Sequence, residues 1–306
     1  MTAAIQTTPD LASRLVNGIL SIKPLANFAK HQARQMMIKR AEKLGVHWTK
    51  EVEKLQERDW TLDLAAVQNP QITYPEYYLR PFHAYEGGDL SWQAAFEVEV
   101  AAYAVHSNIS PGAGVEGDRQ LRQSYHDILK SSLPSSPEKI LDLGCSIGMS
   151  TFALQAVYPD AKITGLDLSP YFLAVVHYHT QQRQAKIDWL HAMAESTGLA
   201  NASFDLVSMF LICHELPQAA TKRIFAEVRR LLRPGGHLAI MDMNPQSEVY
   251  QKMPTYILTL LKSTEPYFDE YFAFDLEQAI VEAGFQTPSI TRNTLRHRTV
   301  IAQVSG

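Results

Sequence analysis

Cysteine is almost missing from this 306-residue chain: Cys145 and Cys213 are its only two, each inside an apolar segment. No disulfide framework and no cysteine-based zinc site can be assembled from such a pair. Basic residues are not in excess either, with 28 Lys and Arg against 32 Asp and Glu and a net charge of −4. A general attraction to nucleic acid or to an anionic membrane surface is therefore not written into the composition. No apolar run is long enough to span a bilayer, and Met1 to Pro9 lacks the basic and apolar regions of a secretory signal. These absences lead to the expectation of a cytoplasmic protein with no nucleic-acid partner, no membrane insertion and no metal. What remains is an ordinary globular balance of 46% hydrophobic and 20% charged residues. The length holds one large domain, or a catalytic domain with a sizeable extension.

Residues 11–44 carry apolar side chains at helical spacing (Leu11, Leu15, Ile19, Leu20, Leu25, Phe28, Met36, Met37, Ile38), and Pro24 is expected to divide them into two helices. A polar helical piece over 50–57 is expected on the surface. The segment from Tyr74 to Asp89 is different in kind. Tyr74, Tyr77, Tyr78, Phe82 and Tyr85 crowd around His83, and Pro75 and Pro81 exclude a regular helix or strand. An irregular aromatic segment costs ordering entropy and needs an apolar partner. Two uses fit it. The rings pin the extension to the main domain, or they wall a ligand pocket where tyrosine hydroxyls orient a nucleophile and ring faces hold a cation. His83 is then either a packing residue or a catalytic candidate. Ser91 is placed to cap a helix from Trp92 to about His106. The Gly- and Pro-rich stretch 108–117 is the clearest linker. It divides residues 1–112, a helical extension and possible lid or acceptor-pocket wall, from residues 113–306. Asp118 is expected to cap the helix that follows.

Between Lys139 and Thr151 the chain reads as a buried strand, a tight turn holding Gly144 and Gly148, and a helix opening at Ser150. Such a helix aims its free N–H groups at whatever lies over the turn. The G-x-G-x-x-G order of dinucleotide sites is absent. Apolar strands are then expected over 163–166, 187–191, 203–212 and 237–243, with a final pair over 289–295 and 299–304. Helices fall between them, one opened by Pro170 and one over 219–232. Asp167 stands at the tip of the second strand, where a carboxylate can accept hydrogen bonds from ribose hydroxyls. His177 and His179 are two apart and face different sides of their helix, so they make no metal pair. Cys213-His214-Glu215-Leu216-Pro217 follows the fourth strand at the edge where open α/β sheets bind ligands. His214 there is a general-base candidate by its intrinsic pKa, or a cap or packing residue. A second aromatic cluster (Tyr267, Phe268, Tyr271, Phe272, Phe274) precedes a helix capped by Asp275.

Asp142-Leu-Gly144-Cys-Ser146-Ile-Gly148 resembles the D/E-x-G-x-G-x-G motif of class I S-adenosylmethionine-dependent methyltransferases, with Ser146 in place of the middle glycine. Asp167, the Ser203–Pro217 segment and Leu232-Arg-Pro-Gly-Gly236 follow in that family's order, and His214-Glu215-Leu-Pro is similar to an ending seen in methyltransferases of the quinone-biosynthesis type. The resemblance covers about residues 118–306. It implies an α/β fold, a seven-stranded Rossmann-like methyltransferase sheet, mostly parallel with the last strand antiparallel, behind an N-terminal helical extension. It implies S-adenosyl-L-methionine as methyl donor and S-adenosyl-L-homocysteine as product. Asp142 and Gly144 would face the methionine portion and Asp167 the ribose, with Ser146, Gly148 and Phe210 completing the set. Met193 occupies the position where the family has an Asp on the adenine amino group. Met193 and Ala194 are therefore expected to meet adenine through an apolar face and a main-chain N–H. His214, Tyr78 and His83 are the catalytic candidates for an in-line displacement that needs no metal. The expected acceptor is a small, partly apolar metabolite. A protein lysine is the alternative, and a non-catalytic cofactor-binding module is the reading from another class.

Overall fold

The computed structural model describes residues 23–83 and 85–305; the helical spacing over residues 11–22 lies outside them. Helix α1 (Lys23–Lys43) holds Pro24 at the start of its described residues, where a missing N–H costs nothing; the helix expected before Pro24 lies outside the described residues. Helix α2 (Trp48–Gln56), expected on the surface, buries Trp48 and Val52 and is amphipathic instead. Helix α3 (Thr61–Val67) is too short for periodicity to announce. Its Asp63 is buried and accepts from Arg58 and pairs with His177. Helix α4 (Trp92–His106) opens at Ser91, whose hydroxyl accepts from Ala94 N. Trp48, Trp60, Phe96 and Val100 of this layer pack with Ile147, Phe172 and Val175 of the next. The extension therefore shares a core with the sheet that follows it.

The linker is a single turn, Gly114–Glu116, that delivers the chain already helical into α5 (Gly117–Ser132). The helix thus begins before Asp118, which does not cap it. Asp118 is buried inside the first turn, accepting from Arg122 and paired with His106.

One seven-stranded sheet organises the rest, in the order β3-β2-β1-β4-β5-β7-β6. Its strands are β1 (Lys139–Leu143), β2 (Lys162–Asp167), β3 (Ile187–His191), β4 (Phe204–Phe210), β5 (Leu232–Met243), β6 (Ser289–Arg292) and β7 (His297–Gln303). Only β7 runs against its neighbours β5 and β6; the pairs among β1 to β5 are parallel. The central strands are apolar on both faces, as a sheet covered on both sides requires. Leu141 and Leu143 pack with Ile224, Phe225 and Val228 of α8 (Gln218–Leu231) on one face. Ile140 turns to the other face, against Leu121, Tyr125 and Leu129 of α5. Helices α6 (Met149–Val157) and α7 (Pro170–Arg183) make the first two crossovers. Strand β5 starts five residues before the expected His237, taking in the Arg233–Gly236 turn, and a register shift between Phe204 and Leu206 accommodates it. Pro254 separates α9 (Glu248–Gln251) from α10 (Thr255–Thr264), and α11 (Phe268–Phe272) leads to α12 (Leu276–Glu282), capped by Asp275. No helix among the described residues is long and apolar enough to cross a membrane.

Candidate active site

The parallel strands end at one edge, and the order reverses between β1 and β4, which opens a crevice over their tips. The turn after β1 is built by main-chain bonds: Gly144 N and Cys145 N both donate to Leu166 O, at 2.8 and 3.0 Å. Gly144 has φ +76°, and a Cβ there would lie 2.2 Å from Ile212 Cδ1. Ser146, in the place of a glycine, also takes a left-handed conformation with φ +50°. That costs a non-glycine residue about 1–2 kcal/mol. The compensation is visible, since Ser146 N donates to Asp167 Oδ2 at 2.7 Å. Gly148 has φ +84° and starts α6.

Asp142 is 1% exposed. Its Oδ2 accepts from Ser150 and Thr151 hydroxyls, both at 2.6 Å, while its Oδ1 is buried without a partner. Burial raises its pKa, partly offset by those hydroxyls. Asp167 Oδ1 accepts from Ser169 N at 2.8 Å. Burial pushes Asp167 up to about 6 against the pull of these N–H donors. Met193 and Ala194 are half-buried just beyond β3, Met193 O accepting from Ser196 N, and Ala194 rests on the α8-side core. Phe210 lies under the Arg122 guanidinium at 4.5 Å and against Tyr125, packed toward α5.

Residues 69–83 and 85–89 form a strap across this edge. Asn69 N donates to His191 Nδ1, so His191 Nε2 donates to Leu168 O. Tyr77 donates to Glu195 at 2.7 Å, and Tyr267 donates to Tyr77 O. His83 N donates to Thr264 O, and Ser169 Oγ donates to Asp89 O at 2.6 Å. The strap is thereby tied to β2, β3 and the α10–α11 region. Tyr74 and Tyr78 stack with centroids 6.2 Å apart. Burial raises the Tyr78 pKa, and the nearby Asp167, Asp89 and Glu215 carboxyls raise it further.

His214 is buried at the tip of β4, with Nδ1 2.7 Å from Asp242 Oδ1 and its own N–H donating to Asp242 Oδ2. Burial opposes its charge, but the Asp242 charge and hydrogen bond outweigh it, and its pKa is raised. Its Nε2 is 3.8 Å from Glu215 Oε1. That oxygen lies 3.5 Å from His83 Nε2, which is 3.2 Å from Glu265 Oε1. His83 keeps 38% of its side chain accessible, yet burial holds its pKa down to about 3. Burial and the Asp89 carboxyl push Glu265 up to about 8, against the pull of His214. Burial, then Asp89 and Glu265, raise Glu215 as well.

Tyr78 and His83 of the strap, Asp167 and His214, from three separate stretches of the chain, thus meet at one edge. Sequence reasoning missed Asp242, Glu265 and Asp89. Asp242 carried a usable signal, an acid at the tip of an apolar strand; Glu265 and Asp89 carried none, because loops bring them in. Among the described residues no group of three or more His, Cys, Asp or Glu is arranged to hold a metal ion.

Residues 140–236 match a methyltransferase domain family. An uncharacterized methyltransferase of Synechocystis sp. is 30% identical over 164 residues, covering 53% of this chain and 74% of that one. A ubiquinone biosynthesis O-methyltransferase of Thiobacillus denitrificans is 29% identical over 166 residues, covering 53% and 70%. Among solved structures, phosphoethanolamine N-methyltransferase 2 of Haemonchus contortus in complex with S-adenosyl-L-methionine superposes with a TM-score of 0.54 over 78% of this chain and 62% of that one. At 13% identity this last likeness concerns the fold.

Proposed function

The chain belongs to the class I S-adenosylmethionine-dependent methyltransferases, and from that premise we propose that it methylates a small, partly apolar acceptor seated beneath the strap. S-adenosylmethionine is the cofactor, and what it supplies when bound is an electrophilic methyl group on a sulfonium. The residues assigned to it suit such a ligand. Asp142 Oδ1 and Ser146 Oγ are buried polar atoms lacking a partner. A carboxylate has about four lone-pair sites, so Asp167 can bond a ribose diol while keeping the N–H groups of Ser146 and Ser169. Met193 and Ala194 offer the base an apolar face. Phe210 acts from behind, holding Arg122 and Tyr125 against the sheet.

The chain's own task is positioning, with nucleophile and methyl brought to about 3–3.5 Å and in line. Tyr78 and His83 of the strap wall the acceptor pocket. His214 takes the acceptor's proton on Nε2, because Asp242 holds Nδ1 protonated. The division at residues 112 and 113 then has a functional sense: the second part binds the donor and the first supplies the pocket wall.

The observation that carries this reading is that the strap brings Tyr78 near Asp167 and His83 against Glu215, the neighbour of His214. The test is incubation with labelled methyl donor and a fractionated lysate. Label recovered in a small-molecule fraction is expected; label in a polypeptide band refutes the small acceptor.

A further inference from the structure

The pocket contains acids that neither the donor site nor the His214–Asp242 pair needs. Glu215 and Glu265 flank His83 Nε2 at 3.5 and 3.2 Å, and Glu215 also stands 3.8 Å from His214 Nε2. Glu265 Oε2 is buried with no partner. Asp89 is held beside Asp167 through Ser169, whose hydroxyl donates to Asp89 O and whose N–H donates to the Asp167 carboxylate. No lysine or arginine among the described residues lies within 4.0 Å of these carboxyls; the basic side chains beside Glu215 and Glu265 are His83, which burial keeps neutral, and His214. Arg298, on the neighbouring strand, pairs with Glu277 instead.

Such a lining selects by charge. A phenol or acid must become an anion as it reacts, and here it would do so among crowded carboxyls with only the His214 imidazolium, already paired to Asp242, to balance it. A protonated amine meets the opposite situation. It arrives positive, its methylated product leaves positive, and a buried carboxyl oxygen lacking a partner gains one.

We infer that the acceptor is a small amine entering as its ammonium ion, and that Glu215 and Glu265 form its seat. This rests on the reading that the pocket performs methyl transfer. The ammonium nitrogen gives one N–H proton to His214 Nε2. Its freed lone pair then forms the N–C bond as the C–S bond breaks, the bonding electrons stay with sulfur, and the positive charge passes from sulfur to nitrogen. The ring faces of Tyr78 and Tyr74 add attraction for that charge.

Calorimetry on the intact chain, first with S-adenosylhomocysteine alone and then saturated with it, tests this with n-butylamine, 2-phenylethylamine and the isosteric 2-phenylethanol. The amines should bind at least tenfold more tightly than the alcohol. Their binding should release protons, seen as heats that differ between buffers of different ionisation enthalpy at pH 7.5. Protons are available because burial with Asp89 keeps Glu265 protonated up to about 8, and because burial, then Asp89 and Glu265, raise Glu215. In Glu265→Gln the amine preference should fall at least fivefold while S-adenosylhomocysteine affinity, which also reports folding, is kept. Alcohol binding as tight as amine binding, no amine binding at 10 mM, or amine binding without proton release overturns the inference. Failure of S-adenosylhomocysteine to bind would instead sink the methyltransfer reading beneath it.

Discussion

Replacing Asp242 by Asn probes the proton chemistry with almost no change of shape. Asp242 is 1% exposed and accepts from His214 Nδ1 at 2.7 Å, from His214 N at 3.2 Å and from Met243 N at 2.7 Å. A hydrogen bond to a charged group is worth about 1.5–3 kcal/mol, and about 1.4 kcal/mol is one pKa unit. Losing the charge should therefore remove what holds the His214 pKa up, and the pKa should fall. Burial, which already opposes the imidazolium, would then dominate and take His214 below its ordinary value. The amide would also turn one N–H donor toward the His214 N–H, a mismatch costing about 1–3 kcal/mol of stability. The linkage has a definite sign. A histidine whose folded pKa is raised stabilises the fold fully below its unfolded value near 6.5, and that contribution is lost as pH rises through the folded value. The stability gap between wild type and variant should thus be widest in mild acid and narrow toward alkaline pH. The assay is a heteronuclear NMR titration of histidine-labelled chain between pH 5 and 9, with His214→Gln to assign the resonance. A His214 signal titrating at the same pH in both proteins, or at higher pH in the variant, refutes the dyad.

Asp167→Ala should weaken S-adenosylhomocysteine binding by roughly 1–3 kcal/mol, since ribose hydroxyls and the Ser146 and Ser169 N–H groups lose their acceptor together; unchanged affinity by calorimetry would mean the second strand tip is not at the ribose. Gly117→Ala sets helix propensity against packing. Alanine gains about 1 kcal/mol in a helix, but a Cβ at Gly117 would lie 2.0 Å from His106 O, and overpacking of that kind costs about 1–3 kcal/mol or more. A lowered melting temperature is expected; a raised one would show that α5 is free to shift. Glu265 keeps its proton up to about 8 in the fold but releases it near the ordinary 4.5 when unfolded, so the ligand-free chain should lose stability as pH rises through that window. Glu265→Gln should flatten the fall in melting temperature from pH 5 to 8, and equal slopes would contradict the placement of Glu265 among like charges.

Local rules made the donor side readable. Strand β3, at Ile187–His191, and helix α7, opened by Pro170, fall where apolar runs and start signals put them. Ser91 and Asp275 cap their helices for the same reason, a side-chain oxygen within reach of an orphan N–H. The misreadings are tertiary. Asp118 had the sequence position of a cap, but a preceding turn moved the helix start and Arg122 and His106 claimed its carboxylate. Helix α2 looked polar because only Trp48 and Val52 face inward.

The order of strands, turns and caps followed from the chain alone, because each depends on neighbours a few residues apart: an alternation, a glycine able to take positive φ, an oxygen near a free N–H. The character of the acceptor pocket did not. Asp89, Glu215 and Glu265 acquire meaning only when the strap, the β4 tip and the end of α10 are folded against one another. Their protons depend on burial and on one another's charge, and both exist only once the chain has closed over them.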